Sequence, residues 1–212
     1  MKQVVSFLLA AMAAVSLLPA AVFAAEEEGS STPPDTVSDA YVVMEADTGQ
    51  VLIEKNMNKR EYPASITKIM TGALALEHDQ LDDVVTMTDE AVFSVPRDTT
   101  HIALTPGEEV TVEQLMYGCM MMSANDCANG LAAFTGGTTD NFVQMMNDKA
   151  QELGAVNTHF VNASGLPDNN HYTTAYDMAL ITRYALGVEG FRTFFGASVQ
   201  TMAPPNPQPE GR

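Results

Sequence analysis

The sequence predicts an α+β domain with its strand signal at the front and a run of helices behind it. Three observations lead there. Two β-rich runs, Tyr41-Val42-Val43-Met44 and Val51-Leu52-Ile53, flank the turn residues Asp47-Thr48-Gly49. Helical spacing and capping signals then follow one another from Pro63 to about Leu186. Over 212 residues, 46% are hydrophobic and 17% charged, which suits one packed domain and excludes a disordered chain.

Residues 1–24 read as a secretory signal. Lys2 supplies the positive start, Val4–Leu18 the apolar run, and Val22-Phe23-Ala24 the small residues of a cleavage site. The alternative is an uncleaved anchor, but the run is short and weakly flanked for a membrane span. Residues 25–38 carry clustered glutamates and two prolines and read as a flexible leader. Ala40–Lys55 is then a hairpin. Pro63 suits a first helical position. Behind it Ile66, Ile69, Met70, Ala73 and Leu74 share one helix face, which predicts a buried helix to about His78.

Thr111 with Gln114 is a capping box ahead of Leu115-Met116-Tyr117. A break at Ser123-Ala124-Asn125 precedes a helical run to Phe134, stopped by Gly136-Gly137. Thr139 opens a helix through Leu153, closed by Gly154. Val156–His171 is a loop rich in Asn, Gly and Pro, and Thr174 with Asp177 starts a last helix. The tail Met202–Arg212 has four prolines and no element signal. A two-stranded hairpin is marginal alone, and no further strand signal follows it.

The formal net charge is −17, from 10 Lys+Arg against 27 Asp+Glu. That excludes nucleic acid as the main partner and adsorption to anionic lipid, since both need a basic face. Between Lys68 and Lys149 the one Lys or Arg is Arg97. Two cysteines exclude a disulfide-stapled mini-fold. If one helix carried both Cys119 and Cys127, about 12 Å would separate them, too far for a bond. Buried apolar thiols are the simpler expectation.

Two short constellations bear chemistry. Ser65 and Lys68 stand at i and i+3 and share a helix face. A serine hydroxyl needs a base to take its proton, and a partly desolvated lysine can serve, because burial disfavours its charged form. Alone, such a pair is common on solvated helices. Ser123 and Asn125 place a hydroxyl and an amide in a break between helices, where Ser123 could equally cap the next helix.

Together they are two of the three signatures S-x-x-K, S-x-N and K-T-G. The segment Tyr62-Pro63-Ala64-Ser65-Ile66-Thr67-Lys68-Ile69-Met70-Thr71 resembles the nucleophile segment of the D-alanyl-D-alanine carboxypeptidases. These are the low-molecular-weight penicillin-binding proteins of peptidase family S11. Ala46-Asp47-Thr48-Gly49-Gln50-Val51-Leu52 resembles their front hairpin, and Ser123-Ala124-Asn125-Asp126-Cys127-Ala128 their second motif. Asn157-Thr158-His159-Phe160, Ser164-Gly165-Leu166 and Tyr172-Thr173-Thr174-Ala175-Tyr176-Asp177 resemble later landmarks, so the likeness runs from about Ala40 to Phe195.

The resemblance implies the serine β-lactamase/D,D-peptidase (transpeptidase-like) fold, with an antiparallel sheet, here incomplete, and a helical subdomain. It implies Ser65 as acyl-forming nucleophile and Lys68 as its general base. Ser123 would relay the proton to the leaving group, and Asn125 would hold the substrate. The substrate would be the peptidoglycan stem peptide, losing its terminal D-alanine. β-Lactams would acylate the same serine. No cofactor or metal is implied, and His159 is read as structural or as a support behind the site. The place of work is outside the cytoplasmic membrane, at the cell wall.

The K-T-G signature is absent, and after Lys149 the only Lys or Arg residues are Arg183, Arg192 and Arg212. The expectation is therefore that residues 39–212 are the N-terminal part of a peptidase domain. The central strands, the K-T-G lysine and any membrane anchor would lie beyond Arg212. That lysine would supply the cation facing the substrate carboxylate. A chain so cut is expected to be inactive and aggregation-prone, with the face of the Ser65 helix uncovered. A D,D-endopeptidase, a serine β-lactamase and a non-catalytic wall-binding remnant are the alternative readings.

Overall fold

The front hairpin forms where its turn chemistry lies. In the computed structural model, which describes residues 36–201, β1 (Tyr41–Met44) pairs antiparallel with β2 (Val51–Lys55). The signal segment, all but the end of the leader, and the Met202–Arg212 tail lie outside the described residues. Glu45 shapes the turn by accepting hydrogen bonds from the Asp47 and Thr48 amides and the Thr48 hydroxyl. These bonds hold its carboxyl down at about 2. Gly49 supplies the left-handed step at φ +78.

Ala64–Thr67 is a 3₁₀ turn flanked by Pro63, and α1 (Lys68–His78) continues from it. The sequence reading ran one helix from Pro63, whereas Ser65 sits in the tighter turn that precedes α1. Of the face expected to be uncovered, Ile66 is 48% exposed, but the residues further along the helix are covered. Met70, Ala73, Leu74 and Ala75 are each at most 1% exposed. The cover is helical: α3 (Val112–Met121), α4 (Asn125–Gly136), α5 (Thr139–Glu152) and α6 (Ala175–Gly187) all pack against α1. It contributes Ala75 to a cluster with Leu115, Met116 and Leu131, and Met70 and Leu74 to one with Phe142, Phe160 and Ile181.

A second sheet corrects the reading that all strand signal lies in front. β3 (Val84–Thr86) pairs antiparallel with β4 (Glu109–Thr111). Three residues per strand are too few to display a period of two, and the partner comes much later in the chain. Two further helices, α2 (Asp89–Phe93) and α7 (Phe191–Phe195), are likewise too short to show helical periodicity.

Caps were more legible. Thr111 accepts from the Gln114 amide while the Gln114 side chain accepts from the Thr111 amide, a complete capping box. Thr138 and Thr174 cap α5 and α6 by accepting from the Asn141 and Asp177 amides, without the reciprocal bond. Arg183 on α6 reaches back to the Ala46 and Asp47 carbonyls at 2.8 and 2.7 Å, which ties the hairpin turn to that helix. The break between α3 and α4 lets Cys119 and Cys127 enter one cluster, both free and buried. Burial pushes the Cys119 thiol up to about 12, and Cys127 also rises. No helix among the described residues is long and apolar enough to cross a membrane.

Candidate active site

Lys68 is the centre of the site, and its surroundings explain its state. It opens α1 and is 3% exposed, whereas Ser65, one turn earlier, is exposed. Its Nζ lies 3.4 Å from Ser65 Oγ, 2.7 Å from Asn125 Oδ1 and 2.6 Å from the Ser164 carbonyl. Among the described residues no carboxylate forms an ion pair with it. Burial therefore dominates and lowers its pKa.

Asn125 Oδ1 and the Ser164 carbonyl are acceptors only, so Lys68 donates to both, and its remaining close polar contact is the Ser65 hydroxyl.

Two walls hold this arrangement. The first is the loop after Ala155. Asn162 Oδ1 gathers the amides of Ser164, Gly165 and Leu166, and its Nδ2 donates to the Leu166 carbonyl. This fixes the direction of the Ser164 carbonyl. Gly165, at φ +83, lies so close to the nucleophile turn that a Cβ there would stand 1.9 Å from the Ala64 carbonyl oxygen. Thr71 Oγ1 donates to the Ala163 carbonyl at 2.7 Å.

Beneath this wall, His171 Nδ1 accepts from the Val161 amide at 3.2 Å. Its proton is then on Nε2, which donates to Thr67 Oγ1 at 2.8 Å. Burial pushes His171 down to about 4, so the ring is neutral.

The second wall comes from residues 95–105. Asn125 Nδ2 donates to Thr99 Oγ1 at 3.1 Å and its amide to the Thr100 carbonyl at 2.9 Å. The next residue, Asp126, is 2% exposed and accepts from the amides of Ile102, Leu104 and Cys127. One residue thus aims Asn125 at Lys68, and its neighbour ties down the loop that holds Asn125. A cleft of about 510 Å³ lined by Tyr62, Pro63, Ala64 and Gly165 opens beside the nucleophile turn. Another of about 440 Å³ is lined by Asp126 together with Arg97, His101 and Leu104.

The structure thus brings Ser65, Lys68 and Asn125 together. Ser123 stands two residues before Asn125 at φ +54, a strained value for serine. Among the described residues its hydroxyl bonds to neither Lys68 nor Ser65. It does not cap α4; Ala124 is the N-cap and makes no side-chain bond. His159 is exposed, stacks on Tyr172 and meets the Asn170 carbonyl, a structural placement. Sequence reasoning missed Thr99, Asn162, Ser164 and His171. Ser164 contributes a backbone carbonyl, which leaves no side-chain signature. Asn162 three residues before Gly165 is a loop signal that could have been found.

Comparison with known proteins identifies the family and the fold. Residues 27–197 match the D-alanyl-D-alanine carboxypeptidase family. D-alanyl-D-alanine carboxypeptidase DacF of Bacillus subtilis is 37% identical over 201 residues, covering 92% of this chain and 51% of DacF. DacA of Haemophilus influenzae is 35% identical, covering 79% and 44%. Penicillin-binding protein 6B of Escherichia coli superposes with TM-score 0.76 at 30% identity, over 82% of this chain and 58% of that one. A point variant of the Streptomyces K15 DD-transpeptidase superposes at 0.72 with 31% identity, over 76% and 65%. The chain spans about half the length of the curated relatives it matches. Its fold is that of the penicillin-binding D,D-peptidases, and the chain belongs to the D-alanyl-D-alanine carboxypeptidase family, peptidase family S11.

Proposed function

We propose that this chain carries the nucleophile and base of a penicillin-sensitive serine D-alanyl-D-alanine carboxypeptidase. On this reading residues 39–212 are the N-terminal part of the peptidase domain. Residues 1–24 export it, and it trims peptidoglycan stem peptides outside the cytoplasmic membrane. The observation that carries the reading is the buried Lys68 amine, free of any carboxylate partner, 3.4 Å from an exposed serine hydroxyl.

The chemistry follows from that pair. Lys68 takes the Ser65 proton as Oγ bonds to the carbonyl carbon of the penultimate D-alanine. The C–N bond to the terminal D-alanine then breaks. Its nitrogen takes up a proton from Lys68, with Ser123 as the relay. Water, deprotonated by Lys68, hydrolyses the ester and restores Ser65. Asn125 acts twice, through Oδ1 on Lys68 and as a holder of the substrate's peptide bond. A Ser65–Lys68 separation of 3.4 Å is a loose hydrogen bond of the kind that tightens when substrate arrives. A β-lactam enters by the same attack on its ring carbonyl.

The test is acylation of the full gene product by a fluorescent penicillin, with the labelled peptide identified by mass. Ser65→Ala abolishes the label. Lys68→Ala folds and labels about 10²–10⁴ times more slowly, the usual worth of a general base. Normal labelling of Lys68→Ala overturns the assignment of the base.

A further inference from the structure

The second cleft has features the proposed reaction does not use. It is a cavity of about 440 Å³ between α2 and the 95–105 loop, with an apolar floor of Val92, Phe93 and Leu104. Two cationic or donor side chains line it, Arg97 and His101. Arg97 is the one Lys or Arg between Lys68 and Lys149 in a chain of net charge −17. Such a charge is expected to find an acid nearby. Yet among the described residues Arg97 forms no ion pair, and its neighbour Asp98 does not meet it.

His101 is oriented as well. Its Nδ1 accepts from the Ala103 amide at 3.1 Å, which leaves Nε2–H as a free donor. Ala103 adopts φ +64 to make that contact, a strained value for alanine. The one acid on the wall is Asp126. It is 2% exposed, and the amides of Ile102, Leu104 and Cys127 occupy its oxygens. Phe93, 66% exposed, adds an apolar edge.

We propose that Arg97 and His101 form a subsite for a carboxylate carried by the substrate upstream of its scissile bond. A guanidinium grips a carboxylate in bidentate fashion, and a neutral imidazole N–H adds a third donor. The placement suits this. The same loop supplies Thr99 and Thr100 to Asn125, which touches Lys68. Three hydrogen bonds and one amide separate the Ser65 hydroxyl from Thr99, two residues from Arg97 and from His101. Those links place Thr99 Oγ1 at most about 12 Å from Ser65 Oγ, the reach of an extended arm of three to four residues at about 3.3–3.6 Å each. The subsite accounts for a cation that this acidic chain keeps in the open, independently of the K-T-G lysine. The inference rests on the proposed carboxypeptidase reading.

The experiment uses the full gene product as Ser65→Ala, so that bound peptide stays intact. Two probes are titrated by NMR, L-alanyl-γ-D-glutamyl-L-lysyl-D-alanyl-D-alanine and its counterpart with the glutamyl α-carboxylate amidated. The acid binds about tenfold more tightly than the amide, the ordinary worth of one charge-assisted pair. Arg97→Gln makes the two equal, and Arg97→Lys recovers part of the difference. Equal binding of the two peptides by the parent overturns the proposal, as does equal loss of both in Arg97→Gln. Failure of both peptides to bind also overturns it. Penicillin labelling of the protein with Ser65 intact, run beside the titrations, reports separately whether the catalytic reading stands.

Discussion

Replacing Gly165 by alanine should open the wall that holds Lys68. Two costs add at this position. The left-handed backbone at φ +83 costs an L-residue about 1–2 kcal/mol. The new Cβ would also stand 1.9 Å from the Ala64 oxygen and 2.4 Å from its carbonyl carbon. Both atoms are backbone, so no side-chain rotation relieves the overlap. The loop must withdraw from the nucleophile turn by more than an ångström. That strains the 2.6 Å contact from Lys68 to the Ser164 carbonyl and the 2.7 Å contact from Thr71 to the Ala163 carbonyl. With a net worth of about 1 kcal/mol for each hydrogen bond, the total is about 3–4 kcal/mol.

Gly154→Ala is the control. It has the same sign of φ, +79, and nothing within 4 Å of its would-be Cβ, so it should cost only the conformational 1–2 kcal/mol. Urea and thermal unfolding of the two variants measure the difference, which for a domain of this size is about 2–4 °C per kcal/mol. Penicillin acylation of Gly165→Ala should fall further than its stability explains, since Lys68 loses an acceptor that positions it beside Ser65. If Gly165→Ala and Gly154→Ala are equally stable, the close approach of the loop to the Ser65 turn is refuted.

Two other perturbations address the supports of the site. His171 is held near 4 by burial, against 6.5 when free, so the unfolded chain takes up the proton first. Stability is then full above about pH 6.5 and falls as the pH drops toward about 4, by at most about 1.4 kcal/mol per pH unit. His171→Gln should flatten that dependence in urea melts, and an unchanged slope would count against a neutral buried ring. Asp126→Asn turns one acceptor oxygen into a donor facing backbone amides. It should cost about 2–3 kcal/mol in the same melts and slow acylation through Asn125; a neutral substitution would show that Asp126 does not anchor the 95–105 loop.

The legible parts of the fold were those with local causes. Thr111 and Gln114, three residues apart, announce their own capping box, and Asp47-Thr48-Gly49 its own turn. Helices of ten or more residues show their buried face as a period. β3, β4, α2 and α7 span three to five residues and show none. Ser65 and Lys68 were found because one helical turn joins them, and Asn125 because its short motif has a recognisable partner upstream. His171 was passed over because its partner Thr67 lies 104 residues away and fills an unspecified position of S-x-x-K.

The sequence by itself determined the class of the domain, its main helices and the two short motifs whose residues Ser65, Lys68 and Asn125 meet in the fold. Only the tertiary structure decided that Lys68 is buried beside Ser65 with its pKa lowered. That state depends on burial and on two acceptors, one from Asn125 and one from the backbone of Ser164. Both are long-range contacts, and a backbone carbonyl is the same whatever residue bears it. The same holds for Arg97. In the sequence it is a lone cation among acids, and the folded loop sets it without an acidic partner over a cleft two residues from the anchor of Asn125.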